Sequence, residues 1–282
     1  FIFPNINVPK KFLNCNYAVV IHDIAAWHNP SILNWRGKQL ISCLPVVLQN
    51  ANIIFTVSEY TALDIIKEFG ISKDKITVAP NGLSQIYKND EYLKKSNINS
   101  SISGKYFLNV GSFEPKKNLS FLLKVYERYR EIVNLTKNPA KLVLTGGESW
   151  KTSEFISSIK TSPYVDDIII LGMVKVEELP ILYKNATALI FPSLFEGFGL
   201  PVIEALSQGT PVLINNNSSL TQFKDFGATV IDNFDVDIWA EKLKVNCLSE
   251  VRVDANYVSK VKSYFDWDRT ASIIATTIGI SN

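Results

Sequence analysis

Residues 186–209, ATALIFPSLFEGFGLPVIEALSQG, constrain this chain more than any other stretch. Ala186 to Phe191 is a short, unbroken apolar run closed by Pro192 and Ser193, the pattern of a buried strand. A loop with Gly197 and Gly199 follows, and then a helix opens with Pro201 near its first position and stops at Gly209. Strand, glycine loop and helix N-terminus in succession make an anion-binding corner of an α/β protein. The N–H groups of the first helical turn lack partners within the helix and point at whatever sits in front of them. Two acids frame the loop, Glu196 ahead of the first glycine and Glu204 about one turn into the helix. A carboxylate repels a phosphate held at the same helix end, so both read as acceptors for sugar or ribose hydroxyls beside the phosphates. Taken singly each has a plainer reading: Glu204 as a charge that complements the helix dipole, and Glu196 as a solvated loop acid.

The rest of the chain repeats the alternation of strand and helix that implies parallel sheets. FIFPN and Tyr17–Ile21 read as short strands, residues 37–50 as a helix kinked by Pro45, and Asn52–Val57 as a strand. Ser58 caps a helix that Gly70 ends, and Ile76–Ala79 is a further strand. From Lys88 to Lys105 the chain turns polar and rich in Ser, Asn and Lys, which reads as a linker. The expected organisation is a domain over 1–88, a linker over 89–105, a second domain over 106–262 and a terminal helix over 263–282. The second domain carries strands at Tyr106–Val110, Lys141–Thr145, Asp167–Leu171, Ala186–Phe191, Val212–Ile214 and Ala228–Ile231, a sheet of about six.

Composition narrows the classes of partner. At 46% hydrophobic and 20% charged residues the chain is globular, and a net charge of +2 argues against nucleic acid as a partner. Cys15, Cys43 and Cys247 have no CxxC spacing and read as reduced core residues of a cytosolic protein, not ligands or disulfides. No apolar stretch reaches the length of a membrane span, and no signal peptide is visible. The chain starts at Phe1 and its one methionine is Met173, so the natural start is expected to lie upstream.

Three further constellations carry chemistry. In Gly111-Ser-Phe-Glu-Pro-Lys-Lys-Asn118, Asn118 reads as an N-cap with Lys116 and Lys117 just ahead of a helix N-terminus. Two ammonium groups there are unfavourable for the helix dipole unless an anion is present, and they suit a diphosphate leaving group; the plain alternative is two solvated loop lysines. His22-Asp23 ends a strand, where open α/β sheets place ligands, although a lone histidine there is more often structural. Thr145-Gly146-Gly147 and Gly172-Met-Val174 are βα turns that present backbone atoms. With two histidines, no HxH or HxxxH pair and no DxD at a strand end, no metal site is expected.

PSLFEGFGLPVIEAL resembles the family 4 retaining glycosyltransferases of the GT-B fold (glycosyl transferases group 1), whose hallmark is two glutamates with seven residues between them. Glu196 and Glu204 stand at that spacing. VGSFEPKKNL is similar to the family's phosphate-binding segment, with Lys116-Lys117 where the family usually has Arg-Lys; lysine keeps the charge and loses bidentate geometry. VIHDIAAWHNP is similar to an HD segment on the acceptor side, and YFDWDRTASIIATTI resembles a terminal helix that returns to the N-terminal domain. The resemblance runs from about Tyr17 to Thr277 and is densest in the second domain.

The resemblance implies an α/β GT-B fold with two Rossmann-like domains facing a cleft, the N-terminal one incomplete because its usual first strand and glycine-rich loop have no counterpart. It implies a metal-independent transferase that moves a hexosyl group from a nucleoside-diphosphate sugar to a hydroxyl of a glycan or lipid-linked saccharide. No cofactor is implied beyond that donor substrate. The implied catalytic residues are Glu196, Lys117 and His22. The implied donor contacts are Ser112, Lys116, Lys117, Glu196, Phe198, Gly199, Leu200, Glu204, Gly172 and Val174, with Glu196 on the sugar and Glu204 on the ribose. The HDIAAWHNP and FEPKKN segments look like mannosyl- or rhamnosyltransferases of bacterial surface polysaccharides, which favours GDP-mannose. The implied location is the cytoplasm, at the inner face of the membrane if the acceptor is lipid-linked; helix 37–50 with Lys38 is a candidate peripheral contact, although a buried amphipathic helix is the better reading of it. Two alternatives stay open: a nucleotide-sugar-binding subunit inactive without a partner, and a GT-B phosphorylase or epimerase.

Overall fold

Every strand pair among the described residues is parallel, and the strands form two separate sheets. The structure is a computed structural model that describes residues 1–30, 34–89, 91, 102–134, 138–147 and 152–280. By its internal contacts it divides into unit 1, comprising Phe1–Gly82, Phe195–Gly199 and Phe265–Asn282, and unit 2, comprising Leu83–Leu194 and Leu200–Tyr264. Residues 90 and 92–101 of the expected linker lie outside the described residues.

Unit 1 is built on four strands in sequence order: β1 (Ile2–Phe3), β2 (Ala18–Ile21), β3 (Ile53–Thr56) and β4 (Ile76–Val78). Helices α1 (Ala25–His28), α2 (Trp35–Ile41), α3 (Leu44–Asn50) and α4 (Glu59–Phe69) connect them. α4 has the limits its sequence signals require. The Ser58 side chain accepts from the Thr61 N–H at 3.1 Å, and Gly70 ends the helix at a φ of 63°. The single helix expected over residues 37–50 is instead two, α2 and α3. Pro45 lies in the first turn of α3, where its missing N–H breaks no hydrogen bond, so it starts a helix instead of kinking one. α3 buries Leu44, Val47 and Leu48, whereas α2 buries only Ile41. Of the three cysteines expected in the core, Cys247 is buried there, whereas Cys15 and Cys43 are exposed.

Unit 2 contains β5 (Tyr106–Val110), β6 (Lys141–Thr145), β7 (Ile168–Gly172), β8 (Ala188–Phe191), β9 (Val212–Asn215) and β10 (Thr229–Ile231). Their order across the sheet is β10-β9-β8-β5-β6-β7. β8 and β9 are buried at every position, as central parallel strands covered on both faces must be. The helices are α5 (Leu119–Ile132), α6 (Thr152–Thr161), α7 (Leu179–Asn185), α8 (Leu200–Ser207), α9 (Val236–Ser249) and α10 (Ala255–Tyr264). The expected stripe of α5, Leu119, Leu122, Leu123 and Tyr126, is buried, and it joins Phe107, Tyr129 and Trp239 in the core.

α11 (Trp267–Thr277) completes unit 1, capped by Asp266, whose side chain accepts from the Asp268 N–H at 2.7 Å. A Cβ on Gly82 would lie 2.4 Å from the Trp267 nitrogen, so the Pro80-Asn81-Gly82 turn needs its glycine for α11 to pack there. Trp267 itself is 49% exposed, so its ring is only partly buried in that packing. Among the described residues no helix is long and apolar enough to cross a membrane.

Candidate functional site

In unit 2 the strand order reverses between β5 and β8, the switch point outside which open α/β sheets hold their ligands. The loops leaving these two strands are stitched together there. The Leu194 N–H donates to the Lys116 carbonyl at 2.7 Å, and Asn217 Nδ2 donates to the Ser193 and Leu194 carbonyls at 3.0 and 2.8 Å. Lys116 and Lys117 lie in a 3-10 turn over Pro115–Lys117, ahead of α5 as expected. Asn118, however, makes no side-chain cap: it adopts a left-handed φ of 55°, and its carbonyl accepts the first backbone bonds of α5.

That turn separates the two lysines. Lys117 is 8% exposed, with Nζ 4.8 Å from the ring centroid of Phe191, so an aromatic face supports its charge inside the fold. Lys116 is more exposed, and its Nζ lies 3.6 Å from Glu114 Oε1, which also accepts from Ser112 Oγ at 2.9 Å. Lys116 therefore shares its charge with Glu114, a neighbour that would oppose an anion.

The carboxyl edge of β5, β6 and β7 is closed by glycine backbone. Gly111 N–H donates to the Thr145 carbonyl at 3.0 Å, Phe113 N–H to Gly147 at 2.9 Å, and Gly146 N–H to Gly172 at 2.8 Å. A Cβ on Gly146 would stand 2.0 Å from the Gly111 carbonyl oxygen, and Gly146 has a φ of 148°, so no other residue closes this edge. Val174 follows it, half-buried.

α8 opens at Leu200 with no acid in its first turn. Glu204 comes one turn later and is held by two tyrosines. Tyr183 Oη donates to Glu204 Oε2 at 2.7 Å, and the Tyr87 hydroxyl bonds the same carboxylate. Both tyrosines are buried, with ring centroids 6.0 Å apart. Burial pushes the Glu204 carboxyl above its ordinary range, and the hydrogen bonds from Tyr183 and Tyr87 oppose that rise by favouring the ionised form.

Unit 1 holds the other glutamate. Within it, the Gly197 carbonyl accepts from Ser58 Oγ at 2.8 Å, and a Cβ on Gly197 would come within 2.1 Å of the His22 carbonyl oxygen. The segment Phe195–Gly199 is thus seated on the carboxyl ends of β2 and β3, with Tyr60 edge-on to Phe195 and Phe265 edge-on to Phe198. Glu196 is 7% exposed, which rules out a solvated loop acid. His22 is exposed, and its Nε2 lies 3.1 Å from the Pro4 carbonyl. The Asp23 side chain accepts from the Ala25 N–H at the start of α1 at 3.0 Å, and His28 pairs with Asp64 at 2.9 Å. Among the described residues no three His, Cys, Asp or Glu side chains group as metal ligands would.

Residues 89–249 match the family model described as glycosyl transferases group 1. The chain belongs to that family. It is 30% identical to O-antigen chain mannosyltransferase B of Escherichia coli over 238 residues, which are 83% of this chain and 61% of that protein. It is 28% identical over 230 residues to O-antigen chain mannosyltransferase RfbU of Salmonella typhimurium, covering 81% of this chain and 60% of the relative. The chain thus spans about three fifths of the length of the curated relatives it matches. Among solved structures, WaaG, a glycosyltransferase involved in lipopolysaccharide biosynthesis, superposes with a TM-score of 0.70 at 16% identity, covering 97% of this chain and 80% of its own. Likeness at that identity shows the fold, which is GT-B with two Rossmann-like domains.

Of the residues expected to serve this group 1 glycosyltransferase, unit 2 gathers Ser112, Lys116, Lys117, Gly172 and Val174 along one sheet edge, with Leu200 and Glu204 on α8. Unit 1 carries His22, Glu196, Phe198 and Gly199. Sequence reasoning missed Tyr87, Tyr183, the Phe191 face under Lys117 and the second hydrogen bond of Ser58. Tyr183 sits in the apolar run of α7 and reads there as core; Tyr87 stands in a polar turn with no periodicity to mark it.

Proposed function

We infer that this chain is part of a retaining, metal-independent glycosyltransferase that moves a hexosyl group from a nucleoside-diphosphate sugar to a hydroxyl of a glycan or lipid-linked saccharide. The observation that carries this reading is Lys117, buried on the Phe191 ring at the switch point of a Rossmann-like sheet. A positive charge fixed before the ligand arrives needs no reorganisation when a diphosphate begins to leave, which is the term that dominates such rates. Lys117, assisted by Lys116 and by the Leu200 amide at the start of α8, holds the diphosphate; the backbone of Ser112, Gly172 and Val174 lines the nucleotide; Glu204 accepts from the ribose. Glu196 accepts from the hydroxyls of the transferred sugar, and His22 orients donor or acceptor. As the anomeric C–O bond to the diphosphate breaks, the acceptor oxygen bonds to carbon on the same face, and the acceptor proton passes to the departing phosphate oxygen. Neither glutamate acts as a nucleophile.

GDP-mannose is the donor in this reading, supported by the two relatives whose names state mannosyl transfer. Work at the inner face of the membrane is part of the same proposal. α2 suits a peripheral contact, because it exposes Trp35 (69%) and Leu40 beside Arg36 and Lys38.

Product analysis tests the reading. The chain is incubated with GDP-mannose alone, with inorganic phosphate, or with a lipid-linked saccharide, each with and without EDTA. Mannosyl product is expected only with the acceptor, unchanged by EDTA, and with the donor's anomeric configuration by NMR. Mannose 1-phosphate formed with phosphate would mean a phosphorylase, a converted sugar without acceptor an epimerase, and inverted product a different displacement.

A further inference from the structure

The Glu204 carboxylate is held by hydrogen bonds from two different segments of unit 2. Tyr183 Oη, from α7, donates to Oε2 at 2.7 Å, and the hydroxyl of Tyr87, from the turn Gln85–Tyr87, donates to the same group. Just past the end of α8, Gln208 Nε2 donates to the Tyr87 carbonyl at 2.9 Å, so Glu204 and Gln208 together hold residue 87 at its side chain and its backbone. Both tyrosine rings are buried, which fixes their hydroxyls in place before any ligand arrives. A carboxylate offers about four lone-pair sites. With two taken by tyrosines, two remain, the number needed to accept from both hydroxyls of a vicinal diol.

We propose that Tyr87 and Tyr183 are positioning residues that hold the Glu204 carboxylate as a two-pronged acceptor for the cis-diol of the donor's ribose, and so set the selectivity of the site for ribonucleotides. This rests on the donor-site reading above. Without the hydroxyls the carboxylate rotates, and the geometric match to a diol is lost although the charge remains. Tyr87 and Tyr183 are the titratable side chains that face Glu204 among the described residues, and each favours its ionised form.

The test compares affinities for GDP and 2′,3′-dideoxy-GDP in the wild-type chain and in Tyr87→Phe, Tyr183→Phe and Glu204→Gln, with thermal melts alongside. Hydrogen bonds to a charged acceptor predict a wild-type preference for GDP of roughly 10- to 100-fold. Each Tyr→Phe change should cut that preference by about 5-fold or more, whether or not the melting temperature moves, and should add nothing to Glu204→Gln. A preference retained in the tyrosine variants, with both nucleotides weakened equally, would overturn the proposal and leave the tyrosines a purely structural role. A separate readout needs no ligand: the Glu204 carboxyl resonance, followed by carbon-13 NMR, should titrate at higher pH in Tyr183→Phe, because a hydrogen bond that favours the ionised form is lost. A wild type that binds neither nucleotide would remove the donor-site reading and the ribose step together. An unchanged Glu204 titration would instead remove the tyrosines' hold on the carboxylate.

Discussion

Gly197→Ala is expected to lower glycosyl transfer by about 100-fold or more while leaving the affinity of unit 2 for nucleotide within a few-fold of wild type. The added Cβ would lie 2.1 Å from the His22 carbonyl oxygen and 2.8 Å from Asp23 Cβ. Neither neighbour can yield cheaply. The His22 carbonyl directly follows β2 and accepts from Thr61 Oγ1 at 3.3 Å, while the Asp23 side chain is engaged with the Ala25 N–H at the start of α1. The loop must therefore lift, which breaks the bond from Ser58 Oγ to the Gly197 carbonyl and carries Glu196 away from its place. Overpacking of this kind also lowers stability by about 1–3 kcal/mol, read as a lower melting temperature. Measured kcat/KM beside nucleotide titration separates the two effects; wild-type transfer in Gly197→Ala would show that the position of Glu196 does not matter.

Lys117→Ala is expected to reduce turnover by roughly 10²- to 10³-fold, the usual loss when one fixed stabiliser of a leaving oxyanion is deleted. Its Nζ is held over Phe191 at 4.8 Å, and a Cβ on Gly111 would meet its Cε at 3.1 Å, so the ammonium occupies a close-fitting slot. Lys117→Arg should not restore activity, because the longer planar guanidinium does not fit beside Gly111. Lys116→Ala should cost much less, since Glu114 already shares the charge of Lys116 at 3.6 Å. Steady-state rates of the three variants decide the point, and equal losses for Lys116→Ala and Lys117→Ala would contradict this division of labour.

Much of this site was legible in the chain because its signals are local. A strand of unbroken apolar residues and Pro201 near the start of the next helix mark β8 and α8, and the spacing of Glu196 and Glu204 carries the family. Ser58 and Gly70 bounded α4 to the residue, since capping depends on three or four neighbours only. What stayed hidden depends on distant partners. Nothing in LPILYKN says that Tyr183 turns its hydroxyl to Glu204, because a helix that buries Pro180, Ile181, Leu182 and Tyr183 reads as core throughout. Asn118 has the residue type of an N-cap, yet the preceding 3-10 turn forces it into a left-handed backbone that takes its side chain out of capping position. Pro45 reads as a kink in the sequence because proline marks an interruption of a helix without saying on which side the new helix begins.

The most direct test of nucleotide-sugar chemistry in this group 1 glycosyltransferase is isothermal titration of the chain against GDP, UDP, dTDP and GDP-mannose, with Lys117→Ala as the control. Binding of GDP and GDP-mannose in the micromolar range, at least 10-fold tighter than the other two nucleotides and weakened at least 10-fold by Lys117→Ala, is the expected result. A folded chain that binds none of the four, or binds them as well without Lys117, would contradict the claim that unit 2 is a donor site organised around that lysine.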